Sequence, residues 1–126
     1  MHVLVDSSIW IDYFRAGKNS ELLDDLIDIN QVAINDVILA ELVPFLVLNK
    51  EKKLIQQLQQ VYRLAMQIDW EGIINDQTKC LKAGINAVGI PDLIIAQNAR
   101  QHGSPIYTLD KHFGLMKKSL KIELVG

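Results

Sequence analysis

The stretch Val3-Leu4-Val5-Asp6-Ser7-Ser8-Ile9-Trp10-Ile11-Asp12-Tyr13-Phe14 decides the reading of the fold. Its first three residues are apolar with no polar alternation, the mark of a short strand buried on both faces of a parallel sheet. From Ser7 the period changes, and Ile9, Trp10, Tyr13 and Phe14 recur at helical spacing until Gly17. A buried strand that runs straight into an amphipathic helix is the first half of a β–α–β unit. Asp6 sits at the junction, at the carboxyl end of the strand, and in an open α/β sheet the ligand crevice lies there.

The same alternation continues along the chain. Asn19-Ser20-Glu21 opens a second helix, with Leu22, Leu23, Leu26, Ile27 and Ile29 inward and Glu21, Asp24, Asp25 and Asp28 outward. Val32-Ala33-Ile34 predicts a second strand, and Asn35 or Asp36 caps the apolar helix that follows. Pro44 lacks the N–H that would bond to Ala40, so that helix is expected to kink or end there. A helix over 50–61 and a third strand over 64–68 come next. Trp70, Ile73, Ile74, Gln77, Leu81 and Ile85 then mark one face of a long helix. Pro91 starts a helix that reaches His102, Ile106 to Leu109 forms a strand, Lys111 begins a short helix, and Lys121 to Val125 is a last strand. Strands separated by helices imply right-handed crossovers and a mostly parallel sheet of four to five strands with helices on both faces, a three-layer α/β/α domain over residues 1–126.

Composition is consistent with that domain. A chain of 126 residues, 49% hydrophobic and 22% charged, is long enough for one core, burying about two-thirds of its unfolded surface. A formal net charge of −2 argues against broad, non-specific nucleic-acid binding. It leaves room for local basic patches, at Lys50, Lys52 and Lys53 or at Arg100, Lys111, Lys117, Lys118 and Lys121, although such runs are more often just a solvated face. The one cysteine, Cys80, excludes an internal disulfide framework and a cysteine zinc site, and helical spacing from Ile73 and Gln77 puts it in the core. The absence of signal-peptide features and of an apolar run approaching ~20 residues predicts a cytoplasmic protein with no membrane contact.

Four acids carry the chemistry. Asp6 and Asp110 each follow a predicted strand and are aimed at the crevice. Glu41 is the one charge in Val37-Ile38-Leu39-Ala40-Glu41-Leu42-Val43-Pro44-Phe45-Leu46-Val47-Leu48, and its helical neighbours Val37, Ile38, Phe45 and Leu48 are all apolar. A carboxylate buried on that face needs a cation, a proton or a donor. Asp92, after Gly89-Ile90-Pro91, has a competing explanation as an acid in a helix's first turn. Together the acids suggest a bound cation, because two unit charges ~4 Å apart repel by about 4 kcal/mol at an effective dielectric of 20. Without one, at least one carboxyl should have its pKa raised by burial and like charge.

Four segments, Val5 to Phe14, Ile34 to Leu42, Ile90 to Ala96 and Tyr107 to Phe113, resemble in order and spacing the PIN domains, and within them the VapC toxins of type II toxin–antitoxin modules. The resemblance implies a PIN-like fold and an endoribonuclease dependent on Mg²⁺ or Mn²⁺, with Asp6, Glu41, Asp92 and Asp110 as catalytic and metal-binding residues. Ser8 and Thr108 would be supporting residues. It also implies hydrolysis of RNA phosphodiester bonds with a metal-activated water, a VapB-like antitoxin lying in the groove near the acids, and a homodimer. Relatives often carry a further acid two residues after the fourth; His112 stands there and, like His2 and His102, reads as a surface imidazole. The apolar Val43 to Leu48 fits either an interface helix or one wholly buried in a monomer.

Other functions compete less well. A haloacid-dehalogenase-type phosphatase needs a second Asp where Ser8 stands, and a receiver domain needs a supporting constellation that Asp69 lacks. A PIN nuclease of RNA processing that is not a toxin, and a non-catalytic PIN scaffold binding RNA or protein, remain as alternatives.

Overall fold

In the computed structural model, which describes residues 1–15, 17 and 20–125, the run Val3–Val5 forms β1, an inner strand of a four-stranded parallel sheet. On one side β1 pairs with β2 (Val32–Ile34), with Val3 opposite Val32 and Leu4 opposite Ala33. On the other it pairs with β4 (Ile106–Tyr107), with Leu4 opposite Ile106 and Val5 opposite Tyr107. β3 (Tyr62–Arg63) lies outside β2, giving the order β3-β2-β1-β4.

That order fixes the layers. The chain steps outward from β1 to β2 and β3, then returns to the far side of β1, so its direction reverses between β1 and β4. Right-handed crossovers stepping in opposite directions lie on opposite faces. One face therefore carries α1 (Ser7–Phe14), α2 (Ser20–Asp28), α3 (Asp36–Leu48) and α4 (Lys52–Gln59). The other carries α5 (Trp70–Lys82) and α6 (Ile90–Gln101), with α7 (Lys111–Leu120) packed on both. The three-layer α/β/α arrangement expected from the sequence is what forms, with Leu4, Val5, Ile34, Ile38, Leu42, Leu93, Ile95 and Phe113 fully buried at its centre.

Amide side chains lock the layers. Asn35, fully buried, caps α3 by accepting the Ile38 N–H and donates to Asn98 Oδ1 at 2.9 Å. Asn98 Nδ2 donates in turn to the Ala65 carbonyl at 3.0 Å. Gln97, also on α6, accepts from Asp69 N at 3.0 Å and donates to Asp69 O at 2.9 Å, just before α5. These bonds set α3 and α6, which bring Glu41 and Asp92, in fixed relation across the sheet.

Several local expectations change. The third strand lies at Tyr62–Arg63, not over 64–68. Leu64 N donates to Ile34 O at 2.9 Å, and thereafter Gln97, Asn98 and Gln101 of α6 supply the backbone partners that a strand would have supplied. The last strand contracts to a single parallel bridge, Ile106 to Leu124. Pro44 neither ends nor interrupts α3, since Ala40 and Pro44 both lie on its exposed side, where water can satisfy the freed carbonyl. On α2, Leu23 is buried but Leu22 and Ile27 are exposed, as is Ile29 just beyond its end; Asn19 lies outside the described residues. On α5 the inward residues are Ile73, Asp76 and Cys80, whereas Trp70, Ile74 and Leu81 are exposed. Asp76 can face inward because Arg100 pairs with it at 2.9 Å while also donating to Leu120 O at 2.8 Å. No helix among the described residues is long and apolar enough to cross a membrane.

Candidate metal centre

All four predicted acids arrive at one edge of the sheet. Asp6 immediately follows β1 and Asp110 lies three residues beyond β4, so they flank the point where strand order reverses. Helices of parallel crossovers run against the strands, which puts the starts of α3 and α6 at the strands' carboxyl edge. Glu41 comes from the second turn of α3 and Asp92 from the first turn of α6. Asp6, Asp92 and Asp110 each stand at a helix N-terminus, where unpaired N–H groups favour negative charge.

Two hydroxyls hold the centre of the cluster. Asp6 is 5% exposed, and its Oδ2 accepts from Ser8 Oγ and from Thr108 Oγ1, both at 2.9 Å. Those hydroxyls also accept: Ser8 Oγ takes Leu109 N–H at 3.0 Å and Thr108 Oγ1 takes Asp110 N–H at 2.9 Å. The turn carrying Asp110 is thus tied to the Asp6 carboxylate on the neighbouring strand. Asp6 Oδ1 has no protein donor among the described residues.

Asp92, Asp110 and His112 form the tightest group, each offering a ligand atom within 4.8 Å of the other two. Asp6 and Glu41 stand outside that triad but within its field. Burial first, then the charges of Asp6, Asp92 and Asp110, push the Glu41 carboxyl above its ordinary pKa. Asp92 is also raised, mainly by burial and then by Asp110, with Asp6 adding; a hydrogen bond from the Gly89 backbone and the charge of His112 pull it down. Among the described residues, no lysine or arginine pairs with any of the four acids, the ion pairs being Arg63 with Asp36, Arg100 with Asp76 and His112 with Asp110. Uncompensated carboxylates and one imidazole at this spacing fit a divalent cation with oxygen or mixed oxygen and nitrogen ligands. Glu41 corrects one expectation: the residue is exposed rather than enclosed by its apolar neighbours, and its carboxyl lies at the rim of the crevice.

A family model described as "PIN domain" matches residues 3–118. The chain belongs to the PIN domain family. Among solved structures, this PIN domain is similar in fold to FitAcB from Neisseria gonorrhoeae, at 16% identity and a TM-score of 0.72, covering 98% of this chain and 96% of that one. It is equally similar to VapBC2 from Rickettsia felis, solved bound to a DNA fragment from their promoter, at 19% identity and a TM-score of 0.72, covering 99% of this chain and 98% of that one. No curated protein sequence matches the chain.

Sequence reasoning missed His112 of this PIN domain. Its backbone N–H donates to Asp110 Oδ1 at 2.9 Å and its Nδ1 lies 2.9 Å from the same oxygen, so it is not a solitary surface imidazole. The spacing Asp-x-His across a helix start was the available signal, because a cap residue and the second helical residue face each other. The other histidines are placed elsewhere: His2 stacks on Tyr62 with ring centroids 4.0 Å apart, and His102 Nε2 lies 2.9 Å from Ala65 O. Arg100, read as part of a basic patch, is instead occupied with Asp76 and Leu120; Lys111, Lys117, Lys118 and Lys121 are exposed.

Proposed function

We propose that this PIN domain, comprising residues 1–126, is the endoribonuclease toxin of a VapBC-type toxin–antitoxin module acting in the cytoplasm. One observation carries the reading. Carboxylates from the end of β1, from α3, from α6 and from the β4–α7 turn share a single field, and among the described residues no lysine or arginine pairs with them. PIN nucleases generally use a divalent metal, and the donor set here suits one. Asp6, Asp92 and Asp110 would hold Mg²⁺ or Mn²⁺, with Glu41 completing the charge at the rim. When bound, such an ion supplies a water of lowered pKa and a counter-charge for the phosphodiester group of RNA.

The chain's own residues do the positioning. Ser8 and Thr108 fix Asp6 by donating to Oδ2 and fix the 108–110 turn by accepting its N–H groups, so two acids keep their separation as an ion enters. The three helix N-termini present unpaired N–H groups on the side from which Asp6, Asp92 and Asp110 project, a placement that suits negatively charged side chains.

Two apolar surfaces support the proposed partners. A groove of about 310 Å³ is lined by Trp10, Tyr13, Phe14, Ile27, Leu54 and Leu58, among others. The Trp10 Nε1–H in its wall has no partner among the described residues, which suits an antitoxin segment bringing apolar side chains and a hydrogen-bond acceptor. On α3, Val47 and Leu48 are 57% and 83% exposed, so that helix is not wholly buried in a single chain, and a second copy could cover its end.

Incubation of purified protein with structured and single-stranded RNA, with Mg²⁺, with Mn²⁺ and with EDTA, tests the reading. Cleavage is expected only with metal and not with Asp6→Ala. A folded protein that binds RNA but never cuts it would favour the non-catalytic scaffold.

A further inference from the structure

We infer that the imidazole of His112 is itself a metal ligand, so that the centre is a mixed nitrogen and oxygen site favouring first-row transition ions such as Mn²⁺ over Mg²⁺. The inference rests on the cation site proposed above and concerns which ion it selects.

Geometry carries the argument. The His112 ring offers its ligand atom within 4.8 Å of one from Asp92 and one from Asp110, while Asp6 and Glu41 are outside that triad. Two neighbouring ligands on an octahedral ion with bonds of ~2.1 Å lie ~3.0 Å apart. His112 Nδ1 and Asp110 Oδ1 are already 2.9 Å apart. The two groups can therefore serve as neighbouring ligands of one cation without being moved apart, and Asp110 Oδ1 keeps the His112 backbone N–H as its second anchor. Both side chains are about two-thirds covered, at 30% and 32% exposure, so the ring is held at the site rather than swinging in water.

Chemistry sets the direction of selectivity. Mg²⁺ is a hard ion that prefers oxygen and retains its waters, whereas imidazole suits the transition metals, with affinity rising from Mn²⁺ through Co²⁺ and Ni²⁺. Placing a nitrogen donor where an acid would complete an all-oxygen set removes a negative charge and adds a softer ligand. The lost charge weakens both divalent ions, and the softer ligand weakens Mg²⁺ relative to Mn²⁺.

Electron spin-echo modulation of protein-bound Mn²⁺ in frozen solution, with calorimetric Kd values for Mn²⁺ and Mg²⁺, tests this. The wild type should show ¹⁴N coupling from a directly bound imidazole. In His112→Gln, Mn²⁺ should still bind but about tenfold or more weakly, since even outer-shell changes cost at least that much, and the coupling should vanish. His112→Asp should move the Mn²⁺/Mg²⁺ affinity ratio toward Mg²⁺. Mn²⁺ that binds the wild type without nitrogen coupling, or coupling that persists in His112→Gln, overturns the inference and leaves the cation site standing. Failure of Mn²⁺ to bind at all removes the proposed function itself.

Discussion

Replacing Asp92 by Asn isolates charge crowding from every other property of the centre. Asp92 and Asp110 offer oxygens no more than 4.8 Å apart. Unit charges at that separation repel by about 3.5 kcal/mol at an effective dielectric of 20 and by about 0.9 kcal/mol in bulk water. Asp92 is half-buried, so the screened value falls between, at about 1–2 kcal/mol. Asn is almost the same size and can still accept the Gly89 N–H that the carboxylate accepts. In EDTA at neutral pH the variant should therefore be more stable than the wild type, with a melting temperature about 3–10 °C higher for a chain of this length. Raising the salt should shrink the gain. Adding Mn²⁺ should invert the order, because an ion at 100 times its Kd stabilises the wild type by about 2.7 kcal/mol and the variant much less. Differential scanning calorimetry of both proteins in both buffers reads all of this. An Asp92→Asn protein that melts at or below the wild type in EDTA refutes the reasoning, since Asp92 would then be stabilised by donors rather than opposed by its neighbours.

Other perturbations probe the remaining parts. Glu41 and Asp92 have pKa values raised in the folded state, so the metal-free fold binds their protons more tightly than the unfolded chain does; their contribution is full below the unfolded values near ~4 and is lost as pH rises through the folded ones. The stability advantage of a Glu41→Gln, Asp92→Asn double variant should accordingly grow from acid to neutral pH in EDTA, and a pH-independent difference in urea titrations contradicts the assignment. Asn35→Ala removes both the α3 cap and the buried link to Asn98, and should cost about 2–4 kcal/mol in chemical denaturation; a loss within error would show that the relay does not hold α3 against α6. Thr108→Val deletes the donor to Asp6 and the acceptor for Asp110 N–H, and should weaken Mn²⁺ binding about 10–100-fold with the circular dichroism spectrum retained. Unaltered affinity there removes Thr108 from the centre.

The parts of the fold that were legible in the sequence are those set by local pattern. Val3–Val5 and Val32–Ile34 are short, unbroken apolar runs, and they are the inner strands. Asn35 is a helix cap by residue type and proves to be one. What escaped depends on partners far along the chain. Leu64 to Ile68 has strand composition, yet its Ala65 and Gln67 carbonyls are taken up by Asn98 and Gln101, a contact invisible in either segment alone. The apolar stripe of α5 is split, with Ile73 inward but Trp70, Ile74 and Leu81 exposed, and Asp76 takes an inward place because Arg100, far along the chain, pairs with it. At the candidate centre, Asp6 and Asp110 follow from strand ends, whereas Glu41 drew attention through apolar neighbours that do not enclose it. Asp92 has both of its readings at once, a first-turn acid bonded to Gly89 and a member of the cluster. His112 was passed over because a lone imidazole on a helix start carries no local sign of the carboxylates around it.

Calorimetric titration of Mn²⁺ into the metal-free protein, repeated in buffers of different ionisation enthalpy, addresses the convergence of the acids most directly. Saturable binding is predicted, with a buffer-dependent part of the heat that grows as the pH is lowered from neutral, because the raised carboxyls of Glu41 and Asp92 then carry more of the protons that the ion displaces, and with loss of the signal in Asp6→Asn. Heats that never saturate, or binding untouched by Asp6→Asn, would contradict the account.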